Sequence, residues 1–299
     1  MIEKIVRYFS DKSYRFSVNA ILGFYDDMSD EDFLRETYRL QVGEDLNLDN
    51  PVKFAEKIQW LKIHDRKPEY NLLVDKYEVK KIVGNIIGEQ YIVPTLGLWE
   101  NFDDIDFDTL PERFVLKCTH DSGGIVIVDD KTKLNRSAAK RKLNKHLKRN
   151  LYRYGREWVY KDVPPRLIAE KYIGDNLSDY KFFCFSGEPK YCQVIASRWK
   201  GETIDFFDMN WTHQEFVGLN PEVKNSATEI PCPKNFELMK KLAALLAEDT
   251  CFRRIDFYEI DGAVYFGEIT FFPRAGFGKF KPDKWNKILG DMIILPRGD

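Results

Sequence analysis

Apolar and polar residues alternate with a period of two through RRIDFYEIDGAVYFGEITFFPRAG, which begins at Arg253, on both sides of Asp261-Gly262. That is the pattern of a β-hairpin. Its loop length decides what it presents, because successive side chains point to opposite faces of a sheet. A two-residue loop at Asp261-Gly262 would set Asp256 opposite Gly267 and send Glu268 to the other face. An odd-length or bulged turn, with Gly262 left-handed, puts Arg254, Asp256, Glu268 and Thr270 on one face and Ile255, Phe257, Ile269 and Phe271 on the other. The second set is a core face, so the odd-length or bulged turn is the expectation.

The first 75 residues predict helices. Ser29-Asp30-Glu31-Asp32 starts one, followed by Phe33, Leu34 and Tyr38. Asn50-Pro51 starts another, with proline at the first helical position and Phe54, Ile58 and Leu61 on one stripe. Residues 75–83 continue as a charged amphipathic helix. The texture then changes: residues 91–94 are extended, and 113–118 and 125–128 are strands around the loop 119–124. Residues 131–156 carry 11 Lys or Arg and no acid, and much of this run fits a helix burying Ala139, Leu143, Leu147 and Leu151. Residues 166–173 read as a buried strand ending in a turn. Residues 179–185 and 190–196 form a hairpin around Gly187-Glu188-Pro189, with Arg198 beyond it. Residues 235–248 predict a helix with Leu238, Leu242 and Leu245 inward, and a glycine-containing loop at 273–282 precedes a last helix around 285–293. Strands and a glycine-rich turn are missing from the first 75 residues, which excludes a dinucleotide-binding βαβ fold there.

With 299 residues, 43% hydrophobic and 14% aromatic, the chain folds around a sizeable core and holds two or three subdomains. A net charge of −2 gives no global pull toward nucleic acid or membrane, and no nucleic-acid motif is present. The five cysteines are scattered and never paired as C-x-x-C, which fits reduced thiols in a cytoplasmic protein. His64, His120, His146 and His213 are dispersed. No signal peptide and no membrane-length apolar run is read; MIEKIVRYF is at most an amphipathic contact.

Three features carry candidate chemistry. Like charges facing each other on a sheet are destabilising unless neutralised, so Asp256 and Glu268 suit a divalent cation such as Mg²⁺. The alternative is a solvated face with one ion pair from Arg254 to Asp256 or Glu268. If repulsion dominates there, Asp256→Asn and Glu268→Gln both stay folded. Ser122, Gly123 and Gly124 form a loop whose backbone N–H groups suit phosphate, with Lys117 at its edge; an ordinary surface hairpin is the alternative. The basic run 131–156 is either a solvated helix face or a docking surface for an anionic substrate.

Taken in order, these motifs resemble the ATP-grasp superfamily. Asp75-Lys76 is similar to its first nucleotide-binding lysine segment, and Phe114-Val115-Leu116-Lys117 with Ser122-Gly123-Gly124 to its second lysine and phosphate-covering loop. Ile168-Ala169-Glu170-Lys171-Tyr172-Ile173 resembles the linker whose backbone reads adenine, and Asp179 stands where an acid often meets the ribose. Arg254-Ile255-Asp256 and Glu268-Ile269-Thr270, followed by 273–276, resemble the paired metal-binding strands. Thr270 replaces the family's usual Asn, which leaves the second Mg²⁺ position open. EKIQWLKIHDR, LVDKY, VLKCTHDSGG, DYKFFCFSGEPK and FGKFKPDKW resemble the teichuronopeptide-type (TupA-like) ATP-grasp proteins, a family associated with bacterial cell-surface polysaccharide clusters.

The resemblance implies an α+β fold, with two ATP-grasp subdomains (76–165 and 166–299) clasping ATP and a helical segment (1–75) in place of the usual α/β domain. It implies an ADP-forming carboxylate–amine ligase that uses ATP and Mg²⁺. Lys76, Lys117, Ser122, Gly123, Gly124, Glu170, Lys171, Tyr172, Asp179 and Lys181 would bind nucleotide, and Asp256, Glu268 and Thr270 the metal. Arg254 and Lys117 would be catalytic, and Arg198 and Arg274 would bind the substrate. The partners implied are a small or polysaccharide-linked carboxylate and an amine. Two rivals stand beside it. A glycosyltransferase would need a sugar-nucleotide site, and no D-x-D motif is present; a non-catalytic nucleotide-binding assembly protein fits Thr270 but not the intact Lys117, Asp256 and Glu268.

Overall fold

The computed structural model describes residues 2–175, 177–196 and 201–296. Arg198 lies outside the described residues. The chain opens with α1 (Ile2–Ser10), α2 (Lys12–Ile21) and α3 (Asp30–Gln41), and continues with α4 (Phe54–His64), α5 (Tyr70–Val74) and α6 (Glu78–Ile87). Ser29 caps α3 by accepting the Asp32 N–H at 3.1 Å, as its sequence predicts. Two expectations shift. The fourth helix starts at Phe54 and not beside Pro51, because the Glu56 carboxylate accepts the N–H groups of Val52 and Lys53 at 2.8 and 2.9 Å. Residues 75–83 are not one continuing helix. Asp75 accepts the N–H groups of Tyr77 (2.7 Å) and Glu78 (3.3 Å) and so starts α6 afresh.

A first antiparallel sheet holds β1 (Thr95–Trp99), β2 (Phe114–Cys118), β3 (Ile125–Val128) and β4 (Leu167–Lys171) in the order β1-β4-β2-β3. Its closing strand thus reaches Lys171. The helix α7 (Arg136–Leu147) covers it, with Ala139 and Leu143 buried against Phe114, Leu116, Leu167 and Ala169. The basic run is not one helix: it breaks after Leu147 and restarts as α8 (Leu151–Gly155), where the Asn150 side chain caps the Tyr152 N–H. Leu151 therefore leaves the expected stripe.

The second sheet contains β5 (Asp179–Phe185), β6 (Glu188–Ala196), β7 (Thr203–Asp208) and β8 (His213–Gln214), while β9 (Val217–Leu219) lies apart. After α9 (Phe236–Ala247), β10 (Phe252–Ile260) and β11 (Ala263–Thr270) complete the order β11-β10-β5-β6-β7-β8. The short β12 (Lys279–Lys281) pairs with β9, and α10 (Lys284–Met292) ends the described fold beside α4. The central strand β5 is buried along its whole length because both faces are covered. Phe182 stacks on Phe236 of α9, and on the other face Phe183 and Phe252 meet Phe54 of α4. The phase of α9 differs from expectation. Phe236, Met239, Leu242, Ala243 and Leu246 face inward, whereas Leu245 is 50% exposed. Propensity permits either stripe; the aromatic layer on β5 and β10 selects this one.

Candidate active site

The β10–β11 hairpin turns on two residues, Asp261 (φ 50°) and Gly262 (φ 78°), with Ile260 paired to Ala263. The expected odd-length turn is therefore absent. The register change sits further along: Phe257 pairs with Phe266, but Asp256 pairs with Glu268, and Gly267 is the extra residue of a β-bulge. A Cβ on Gly267 would stand 3.1 Å from the Asp256 carbonyl oxygen, so glycine permits the close approach. The outcome for the face is as expected. Asp256 opposes Glu268, and Arg254 opposes Thr270, while Ile255, Phe257 and Ile269 are buried in the core.

This face neutralises itself. The Arg254 guanidinium grips Asp256 at 2.7 and 2.8 Å, Glu268 at 2.7 Å and the Thr270 hydroxyl at 2.9 Å. The Lys181 ammonium, from the neighbouring strand, donates to Asp256 and lies 3.8 Å from Asp179. Burial opposes the Arg254 charge, but Asp256 and Glu268 hold the guanidinium firmly charged. For Glu268, burial raises the pKa and the cations Lys181, Arg254 and Lys76 outweigh it, bringing the carboxyl down to about 2. Asp256 is 1% exposed with both oxygens engaged, whereas 44% of the Glu268 side chain opens to the cleft. As a hard-cation donor set, Glu268 and Thr270 fit from the cleft side, and Asp256 lies directly behind them. Among the described residues no group of three or more His, Cys, Asp and Glu gathers as a metal cluster. The donors here are two carboxylates and a hydroxyl.

The first sheet forms the facing wall. Lys117 of β2 and Lys80 of α6 both pair with Glu170 of β4, at 2.5 and 2.6 Å. Burial raises the Glu170 pKa, and the two ammonium groups more than reverse this, to about 2. Lys76 donates to the Asp121 carbonyl at 2.7 Å, tying the first lysine segment to the glycine loop; burial lowers its pKa. Ser122 and Gly123 are exposed at the loop tip, and Gly124 is buried against Cys118 and His146. The buried Asp121 carboxylate accepts from His146 of α7 and lies 3.4 Å from Arg149. The sheet wall, the loop and the hairpin enclose a cleft of about 1660 Å³, which Glu170, Lys171, Tyr172, Asp179, Lys181 and Arg274 also line.

Of the expected site residues among those described, all but Gly124 and Asp256 line one cleft, and Asp256 pairs with Glu268 just behind its wall. Folding assigns much of the basic run to internal contacts: Lys140 pairs with Asp103, Arg153 with Asp26 and the buried Arg156 with Asp30, while Lys133, Lys142 and Arg149 still line the cleft. Sequence reasoning missed Lys80, although it lies only four residues beyond Lys76. It also missed Glu157 and Tyr160 on the cleft wall and the fully buried Lys62 behind them. A lysine inside the apolar stripe of EKIQWLKIHDR is the one signal that pointed to the last.

A family profile described as TupA-like ATPgrasp matches residues 56–294. No curated protein matches the chain. Among solved structures, the D-alanine–D-alanine ligase from Bacillus anthracis complexed with ATP is 20% identical, covering 74% of this chain and 63% of that one, with a TM-score of 0.43. The N5-carboxyaminoimidazole synthetase from Staphylococcus aureus complexed with ADP is 14% identical (67% and 44% covered, TM-score 0.42). The D-alanine–D-alanine ligase from Helicobacter pylori is 16% identical (82% and 70% covered, TM-score 0.42). The chain spans less than two thirds of the first two of these.

Proposed function

The chain belongs to the TupA-like ATP-grasp family, and from that premise we propose that it is an ATP-dependent, ADP-forming carboxylate–amine ligase. The observation that carries the proposal is a cleft with opposed walls, Lys76, Lys80 and Lys117 on one side and Glu268 and Thr270, backed by Asp256, on the other. Lys76 and Lys117 would hold nucleotide phosphates, with the 119–124 loop excluding water from an activated acyl group. The Glu170–Tyr172 segment would meet the adenine and Asp179 the ribose, with Lys181 near the phosphates. Mg²⁺ held by Glu268, Asp256 and Thr270 would neutralise charge on the transferring phosphoryl group. Arg254 would stabilise charge developing at the acyl centre, and Arg274 would bind the acid substrate. The acid is taken as a carboxylate of a cell-surface polysaccharide or its precursor, joined to an amino acid or amine. Five free cysteines support a reducing, cytoplasmic setting.

The test is ADP formation from Mg²⁺-ATP across a panel of carboxylic acids and amines, together with the thermal shift produced by Mg²⁺-ATP. Wild type is expected to be stabilised and to form ADP with at least one pair. Glu268→Gln should stay folded, because its side chain is partly exposed, yet lose about 10²-fold or more in turnover. Stabilisation without ADP from any pair would favour a non-catalytic nucleotide-binding protein. No stabilisation at all would remove the nucleotide.

A further inference from the structure

The α4 segment carries Glu56, Gln59 and Lys62 three residues apart on one stripe, and all are buried, at 7%, 0% and 0% exposure. An amide and an ammonium in a core are costly unless their polar atoms find partners. Glu56 serves the start of its own helix. The other two converge elsewhere: Gln59 Nε2 and Lys62 Nζ both donate to the Ala275 carbonyl, at 3.2 and 2.7 Å. Lys62 also donates to the Gly155 carbonyl at 2.6 Å, and its ammonium lies 4.8 Å from the Phe277 ring centre.

The target is an unusual piece of backbone. Arg274 (φ 52°), Ala275 (φ 51°) and Gly276 (φ 70°) are successive left-handed residues, a conformation that non-glycine residues resist. Packing around the turn is tight. A Cβ on Gly276 would stand 2.4 Å from Gln59 Nε2, and one on Gly155 would stand 2.7 Å from the Ala275 methyl group. The Ala275 side chain is buried while that of Arg274 is exposed on the cleft wall, in the segment that follows Thr270. A relaxed loop would carry an arginine with less strain but would not aim it.

We propose that Gln59 and Lys62 are positioning residues that clamp the 274–276 turn, so that the Arg274 guanidinium is presented to the carboxylate of the acid substrate. What occupies the cleft rests on the ligase reading; the clamp itself does not. The helical N-terminal region thereby becomes part of the substrate side of the site.

Hydrogen exchange over residues 273–278 tests the clamp directly, because the Phe277 N–H donates to the Arg274 carbonyl at 3.1 Å across the turn. In Lys62→Met, which keeps the stem and removes the ammonium, this amide should exchange about tenfold faster or more, with β10 and β11 unchanged. Gln59→Met should show the same change more weakly and serves if Lys62→Met does not fold. Adding Ala275→Gly to Lys62→Met should restore most of the protection, because glycine holds a left-handed conformation without help. In parallel, Lys62→Met should raise the half-saturating acid concentration about tenfold while that of ATP stays within about twofold. Arg274→Ala should do likewise without faster exchange, and the two changes should not add. Wild-type exchange in both single variants overturns the clamp. Faster exchange with unaltered acid dependence overturns the positioning role. A wild type that forms no ADP refutes the ligase reading instead, and leaves the exchange result to decide the clamp.

Discussion

On the first sheet, Lys117 and Lys80 share one carboxylate, Glu170, whereas on the second Arg254 and Lys181 are shared among Asp256, Glu268 and Asp179. One wall of the cleft therefore sets two cations on one carboxylate, while on the other the partly exposed Glu268 carboxylate opens to the cleft. The first can take phosphate oxygens without a new counter-ion, and the second can take a metal cation. Burial differs within each wall. Asp256, Arg254, Lys181 and Glu170 are all under 10% exposed, while the Lys117 and Glu268 side chains are 22% and 44% exposed and line the cleft. The buried charges thus hold the fold together, and removing one has a different consequence from removing a charge that opens to the cleft.

The largest expected effect breaks the symmetry between the two carboxylates. Relief of repulsion between Asp256 and Glu268 would leave Asp256→Asn folded; the structure reverses that expectation. Both Asp256 oxygens are held by buried cations, so the amide removes the charge that Arg254 and Lys181 share and should cost about 3–5 kcal/mol of stability. Denaturant unfolding of Asp256→Asn checks this, and a loss below about 1 kcal/mol would mean that the pair behaves as a surface one.

A second test isolates the first wall. Burial works against the Glu170 carboxylate, but the Lys117 and Lys80 ammonium groups outweigh it and bring the carboxyl down to about 2, well below the ordinary glutamate range. A depressed carboxyl contributes stability that is complete above its unfolded pKa and is lost as pH falls through the folded value. The Glu170 contribution, about 2–3 kcal/mol, should therefore disappear between roughly pH 4.5 and pH 2. In Glu170→Gln that part of the acid-induced loss should be missing from unfolding curves taken across the same range.

The smallest effect sharpens the comparison on the ligand side. Lys117→Met leaves Glu170 paired with Lys80, so the protein should stay folded while nucleotide binding weakens by about 1–3 kcal/mol. Titration calorimetry with ATP is the measurement, and an unchanged affinity in a folded variant would take Lys117 off the phosphates.

Period-two alternation made the hairpin legible, and with it the partition of Arg254, Asp256, Glu268 and Thr270 from Ile255, Phe257 and Ile269. The route to that register was not legible. Asp261-Gly262 is the residue pair of a tight two-residue turn, and the shift comes from a bulge at Gly267, whose glycine gives no periodic signal. The stripe on α9 was read one phase off, because Leu238, Leu242 and Leu245 repeat as well as the set that is buried. Strands β1 and β7 carried no sequence expectation, being short or lacking alternation, and β12 falls inside the 273–282 segment read as a loop; the Phe206-Phe207 pair of β7 is buried on both faces by its neighbours.

Local chemistry written in the sequence determined the strands of the central hairpins, where caps such as Ser29 begin helices, and which residues bear charge near the cleft. These follow from side-chain periodicity and from hydrogen bonds within a few residues. Tertiary structure decided which charges meet. Lys80 finds Glu170 from 90 positions away, Lys181 finds Asp256, and Lys62 reaches Ala275 across 213 positions. Such pairings depend on packing between elements distant in the chain, and no local pattern records them. They also decided that the facing carboxylates are balanced by the protein's own cations, which converts one of them from a removable ligand into a structural anchor.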